Sequence, residues 1–128
     1  MSSDPTAYLR RFFDQMDSDD PSAVIATLHE DFQFTVFFST EEGMTEFAGD
    51  HAAWDGYMAQ RPVENRPVHR LDIVSGAGSV ATALGRTVLG EELVATFTAT
   101  LEFDTDGQIR RYFAARSTDL DFIAGLPG

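Results

Sequence analysis

The sequence predicts an α+β domain, and three observations carry that prediction. Residues 79–116 hold three strand-like runs separated by turn signals. The N-terminal part instead repeats apolar residues at helical spacing. Helices and strands are also segregated along the chain, which favours an antiparallel sheet covered on one face over a parallel α/β arrangement.

Asp4-Pro5 starts the first helix, because Asp caps well and Pro suits the first helical position. Tyr8, Leu9, Phe12, Phe13 and Met16 then form one apolar stripe. Asp17-Ser18-Asp19-Asp20-Pro21 stops that helix and starts a short one, Ala23 to His29. Phe32 to Phe38 alternates as a strand. Glu41 to Phe47 reads as a polar loop. Asp50 caps a third helix, His51 to Gln60, with His51, Trp54 and Met58 on one face and Tyr57 beside it. Pro62 to Pro67 is a linker. Val68 to Val74 is a strand, and Gly76-Ala77-Gly78 turns it into the meander.

Within the meander, Gly90-Glu91-Glu92 and Asp104-Thr105-Asp106-Gly107 are hairpin signals, since Gly and Asp tolerate the backbone of tight turns. Leu93, Ala95, Phe97, Ala99, Leu101 and Phe103 point one way. Val94, Thr96, Thr98, Thr100 and Glu102 point the other. The tail, Asp119 to Gly128, is expected to be loose.

The 128 residues fit one domain, with its core at about residues 5–117. A hydrophobic fraction of 43% is enough to bury a core, which argues against disorder. There is no cysteine, which excludes disulfides and thiolate chemistry and weighs against a structural zinc site. The nine basic residues are all arginine and face 21 acids, so the net charge is −12. That balance opposes binding to nucleic acid or to an anionic membrane. No apolar run is long enough to span a bilayer. The N-terminus lacks the basic and apolar regions of a secretory signal, so the cytoplasm is the expected location.

Three stretches carry a family resemblance. They are YLRRFFDQMDSDDPSAVIATLHEDFQF at Tyr8–Phe34, the Gly49 start of the third helix, and FTATLEFDTDGQIRRYFAARS at Phe97–Ser117. This order resembles the nuclear transport factor 2-like superfamily, which includes ketosteroid isomerases and polyketide cyclases. The resemblance implies a cone-shaped α+β barrel: a curved antiparallel sheet around N-terminal helices, with one pocket and no cofactor. It also implies dimerisation through the sheet's outer face. The residues expected there are chiefly Thr96, Thr98, Thr100, Arg111 and Phe113, since an outward face carrying Ile109 and Phe113 is too apolar to leave wet.

Ketosteroid isomerisation needs a proton-shuttling carboxylate, with a Tyr and a protonated Asp stabilising the enolate. Aligned on the motifs, the tyrosine position is Phe12, the base is Val36 and the second acid is Ala99. None of these moves a proton, so isomerisation by that mechanism is not expected.

If the Leu93–Phe103 phase faces the pocket, the preceding strand contributes Val80, Thr82, Leu84, Arg86 and Val88. The last strand contributes Arg110, Tyr112, Ala114 and Arg116. The 68–74 strand contributes His69, Leu71 and Ile73. Helices add Phe12, Met16, Trp54, Tyr57 and Met58, and the strands add Val36, Phe97 and Ala99. An apolar wall with a few polar tips suits a small molecule. His69 is either a proton-transfer group or a structural histidine. Arg86 either clamps an anionic ligand or pairs with Glu102, Glu92 or Asp72. Arg116 has the same two readings, and Tyr112 either donates to a ligand oxygen or to the core. His69, Arg86 and Tyr112 are the catalytic candidates. The acidic cluster Asp17–Asp20 reads as a solvated loop.

Three functions remain open from sequence. One is a cyclase, isomerase or dehydratase-like enzyme acting on a ligand with an anionic or enolisable end. The others are a non-catalytic ligand pocket and a protein-interaction domain.

Overall fold

The structure is a computed structural model that describes residues 4–18, 21–40, 43–59 and 68–117. The elements run α1 (Pro5–Asp17), α2 (Pro21–Ile25), β1 (Leu28–Thr40), β2 (Gly43–Asp50), α3 (His51–Ala59), β3 (Val68–Ala77), β4 (Val80–Leu89), β5 (Glu92–Phe103) and β6 (Ile109–Ser117). The six strands form one curved sheet in the order β2-β1-β6-β5-β4-β3. Neighbours pair antiparallel except β1 with β6, which run parallel. The predicted α+β class is therefore observed. The expected barrel is corrected to an open sheet, with β2 and β3 as edges.

The local signals act as the sequence predicts at the starts of α1 and α3. Asp4 accepts from the Thr6 backbone N–H at 3.0 Å and caps α1. Asp50 accepts from the Ala53 N–H at 3.1 Å and caps α3. Both satisfy donors that a helix start leaves without partners. Gly78, Gly90 and Gly107 take positive φ in the three meander turns. At the last turn, Asp104 Oδ1 accepts from the N–H groups of Asp106 and Gln108, both at 2.9 Å.

Two boundaries differ from expectation. The second helix ends at Ile25, and Leu28 to His29 already belong to β1. The expected polar loop is partly strand, since Gly43–Phe47 lies in β2, paired to β1 from Thr40↔Gly43 onward. An edge strand exposed on both faces has no alternation to reveal it. Glu41, Glu42, Gln60, the 62–67 linker and the 119–128 tail lie outside the described residues.

The helices cover one face of the sheet. Leu9, Phe12, Phe13 and Met16 of α1, with Trp54 and Met58 of α3, are buried against Phe32, Phe34, Val36, Ala83, Phe97, Ala99, Leu101, Tyr112 and Ala114. Ala83, Ala99 and Ala114 stand opposite one another on β4, β5 and β6. This row of small side chains across mid-sheet leaves depth for the α1 aromatics.

Three one-residue bulges decide which side chains face the helices. The period of a strand is two, so each extra residue flips the phase beyond it. On β5, Val88 pairs Leu93 but Thr87 pairs Ala95, so Val94 is the extra residue. An unbulged hairpin would have set Arg86 opposite Ala95 and faced it inward. Instead Ala81, Ala83, Gly85 and Thr87 are buried. The expected inward set Val80, Thr82, Leu84, Arg86 and Val88 is corrected to the outer face. Small residues fit under α1, whereas an inward guanidinium would need costly desolvation.

On β3, Leu71 pairs Gly85 and Ile73 pairs Leu84, which makes Asp72 the extra residue. His69 and Leu71 face inward as expected. Ile73 turns out and is 49% exposed, while Val74 packs on the core. On β6, Glu102 pairs Arg111 and Phe103 pairs Ile109, which leaves Arg110 extra. Arg110 is therefore exposed, not inward, and Ile109 is buried, not outward.

Candidate functional site

His69 is the centre of the candidate site. It lies at the start of β3, on the helix-covered face, opposite Thr87. Its ring packs against Phe13 (centroids 4.9 Å apart) and meets Phe97 edge-on at 5.3 Å. Phe13 and Phe97 themselves lie 5.5 Å apart. The imidazole is therefore held in an aromatic slot.

Asp17, the last residue of α1, grips His69 twice. Oδ1 is 2.6 Å from Nδ1, and Oδ2 accepts from the His69 backbone N–H at 2.8 Å. The two side chains are 17% and 18% exposed, which puts the pair at the rim of the covered face. Sequence reasoning read Asp17 as part of a solvated acidic loop, and that reading is corrected. A usable signal existed: Asp17 is four residues beyond Phe13, so the two share a helix face.

Register places the remaining candidates. Phe97 of β5 stands opposite Gly85 on one side and Arg116 on the other. Arg116 shares the inward phase of Tyr112 and Ala114 and is half-buried. It has partners within the fold. His69 and Arg116 thus flank Phe97, with the β3 and β6 backbones about 14 Å apart along the sheet.

Tyr112 is inward but sits four residues before Arg116, about 13 Å along the strand. Its ring packs on Phe12 at 5.1 Å and Trp54 at 5.5 Å. It belongs to the core and does not meet His69. Phe12, Met16, Val36, Trp54, Met58 and Ala99 are buried in that same core. The Tyr57 side chain lies outside the described part of the structure.

Arg86 is on the opposite face. It donates through Nη2 to Asp72 Oδ1 at 2.7 Å and through Nε to Asp72 Oδ2 at 3.2 Å. This two-pronged pair matches the internal-partner reading. The expected convergence of Arg86, Tyr112 and His69 on one ligand oxygen does not occur.

The helix-free face carries a groove of about 510 Å³. Met44, Ile73, Leu84, Thr98, Ala115 and Ser117 contribute to its lining. Phe113, 48% exposed, stands on this face one pairing step from Thr98↔Ala115 and stacks edge-on with Phe37 at 5.8 Å. Arg111 pairs with Glu102 at 3.4 Å beside it. Thr96 points to this face yet is only 5% exposed.

No family model matches the sequence, and no curated protein does. Solved structures match over most of the chain. A candidate ketosteroid isomerase from Kribbella flavida superposes with a TM-score of 0.69 at 18% identity, covering 97% of this chain and 83% of that one. An NTF-2-like protein of unknown function from Burkholderia xenovorans gives 0.66 at 13% identity, covering 97% and 88%. A candidate isomerase of the SnoaL-like family from Agrobacterium tumefaciens gives 0.61 at 13% identity, covering 86% and 94%. The chain has the nuclear transport factor 2-like fold.

Proposed function

We propose that this nuclear transport factor 2-like domain binds a small apolar ligand with an anionic or enolisable end, and that His69 moves a proton on it. The observation that carries this reading is the imidazole held by Asp17 between Phe13 and Phe97, with Arg116 across Phe97. The apolar body lies beside the imidazole, against the aromatic wall that holds it. Arg116 replaces Arg86 as the anchor for negative charge, because it shares the strand phase of Tyr112 and Ala114, toward the helices. The chemistry is of the cyclase, isomerase or dehydratase type and uses no cofactor. Phe12, Val36 and Ala99 take no part as acids or bases, since none of them titrates.

The test is native mass spectrometry of the purified protein, followed by titration of the retained molecule. Arg116→Ala is expected to weaken its binding by about 1.5–3 kcal/mol, the range for a hydrogen bond to a charged group. Arg86→Ala is expected to leave binding unchanged, because its guanidinium is engaged by Asp72 on the other face. The reverse pattern would place the ligand on the outer face and sink this reading.

The same reading includes a homodimer through the helix-free face, in a cytoplasmic setting. Ile73 and Phe113 are half exposed there. The charges on this face are largely paired internally, as Arg86–Asp72 and Arg111–Glu102. For a chain of net charge −12, two such faces meet with less repulsion than two acidic ones. Thr98, Thr100, Arg111 and Phe113 contribute; Thr96 is already buried and does not. Sedimentation at tens of micromolar, a rough working concentration, is expected to give a dimer. Phe113→Asp is expected to give a monomer, and a monomeric parent protein would refute the interface.

A further inference from the structure

We propose that Asp17 is a positioning residue that holds His69 as the Nδ1–H tautomer, so that Nε2 is the bare nitrogen offered to an enolisable ligand. This rests on the pocket reading above and names the atom that would act and the substrate class it suits.

Three features of the pair carry the argument. The first is the direction of each bond. The His69 backbone N–H can only donate, so Asp17 Oδ2 is committed as its acceptor at 2.8 Å. Oδ1 faces Nδ1 at 2.6 Å. Two bare lone pairs at that distance repel, so a proton lies between them. On the imidazole it forms a charge-assisted N–H···O⁻ bond, the stronger arrangement. A neutral ring with Nδ1 protonated leaves Nε2 as acceptor.

The second feature is the placement of the carboxylate. Asp17 ends α1, where the helix carbonyls already gather negative charge. An acid at that end is disfavoured. Two donors from one residue offset that cost, and they do so only with Nδ1 protonated.

The third is the ring's surroundings. Phe13 and Phe97 hold the plane of the imidazole. Among the described residues, Nε2 has no hydrogen-bond partner. The nitrogen opposite the clamp is thus left to a ligand lying on the aromatic slot.

This arrangement suits abstraction of a proton from a carbon next to a carbonyl. The Nε2 lone pair takes the proton, and the C–H electron pair becomes the enolate. The imidazolium keeps its Nδ1–H on Asp17, whose charge stabilises it. Return of the proton to another position of the ligand restores the neutral ring. No co-reactant is consumed.

Long-range ¹H–¹⁵N imidazole spectra of labelled protein test the inference without any ligand. They are recorded at about pH 8.5, some two units above a free imidazole's pKa. The protein is expected to show a protonated Nδ1 and a bare Nε2 at His69. In Asp17→Asn the amide oxygen must keep the backbone N–H, which turns the amide NH₂ toward Nδ1. Nδ1 then becomes an acceptor, and the pattern is expected to reverse. Acylation of His69 Nε2 by diethyl pyrocarbonate, read by peptide mass, is expected to be lost in the same variant. A protonated Nε2 in the unaltered protein overturns the inference even if Asp17→Asn does not fold. So does an unchanged pattern in a folded Asp17→Asn. The expected tautomer in a protein that binds no small molecule upholds this inference and refutes the pocket reading, so the two fail separately.

Discussion

Trp54→Ala is expected to lower stability by about 3–5 kcal/mol, the range for truncating a buried aromatic residue. Trp54 is wholly buried, with its ring against Phe12, Phe32, Phe34 and Tyr112 at centroid distances of 6.2, 5.7, 4.9 and 5.5 Å. It joins α1, α3, β1 and β6 at one point. Its removal opens a cavity that four fixed rings cannot fill, because each is held from its other side. A domain is stable by only about 5–15 kcal/mol, so this single change takes a large share. Denaturant unfolding measures it. Trp54→Phe is expected to cost less, since most of the ring contacts survive. A loss below about 1 kcal/mol for the alanine variant, the typical cost of an ordinary substitution, would show that α3 does not pack as described.

Gly85→Ala is expected to be the second costly change, and it reaches the candidate site through the sheet. A methyl at Gly85 would run into the Arg70 carbonyl oxygen and lie 2.9 Å from the Phe97 ring. The first obstacle is backbone, so β3 must move away from β4. Overpacking of this kind costs about 1–3 kcal/mol. The displacement falls beside His69 and on the ring that holds it, so ligand affinity and the His69–Asp17 contact should weaken with stability. Unfolding curves, together with the His69 imidazole spectrum, separate the outcomes. A variant as stable as the parent, with the His69 signals unmoved, would contradict the bulged register that buries Gly85. That same register turns Arg86 outward, so one substitution checks both statements.

The sequence by itself determined the elements whose causes are local. The Asp4 and Asp50 caps, the α1 stripe from Leu9 to Met16 and the positive-φ glycines of the meander depend on neighbours a few residues away. The Ala95–Phe103 phase needed only alternation, and it stands; Leu93 lies beyond the bulge at Val94. Together these place helices on one face of an antiparallel meander, which is why the nuclear transport factor 2-like resemblance led to the observed fold.

Only the tertiary structure decided which side chains face the helices, and hence the site. The extra residues at Asp72, Val94 and Arg110 change no hydrophobic pattern enough to be read, yet each inverts a strand. They turned Arg86, Ile73 and Arg110 outward and Ile109 inward. β2 was hidden because an exposed edge strand gains its order from pairing with β1, not from apolar alternation. The Asp17–His69 pair joins residues 52 positions apart. Neither its backbone clamp nor its distance has a local cause: the packing of α1 on β3 brings the end of one against the start of the other.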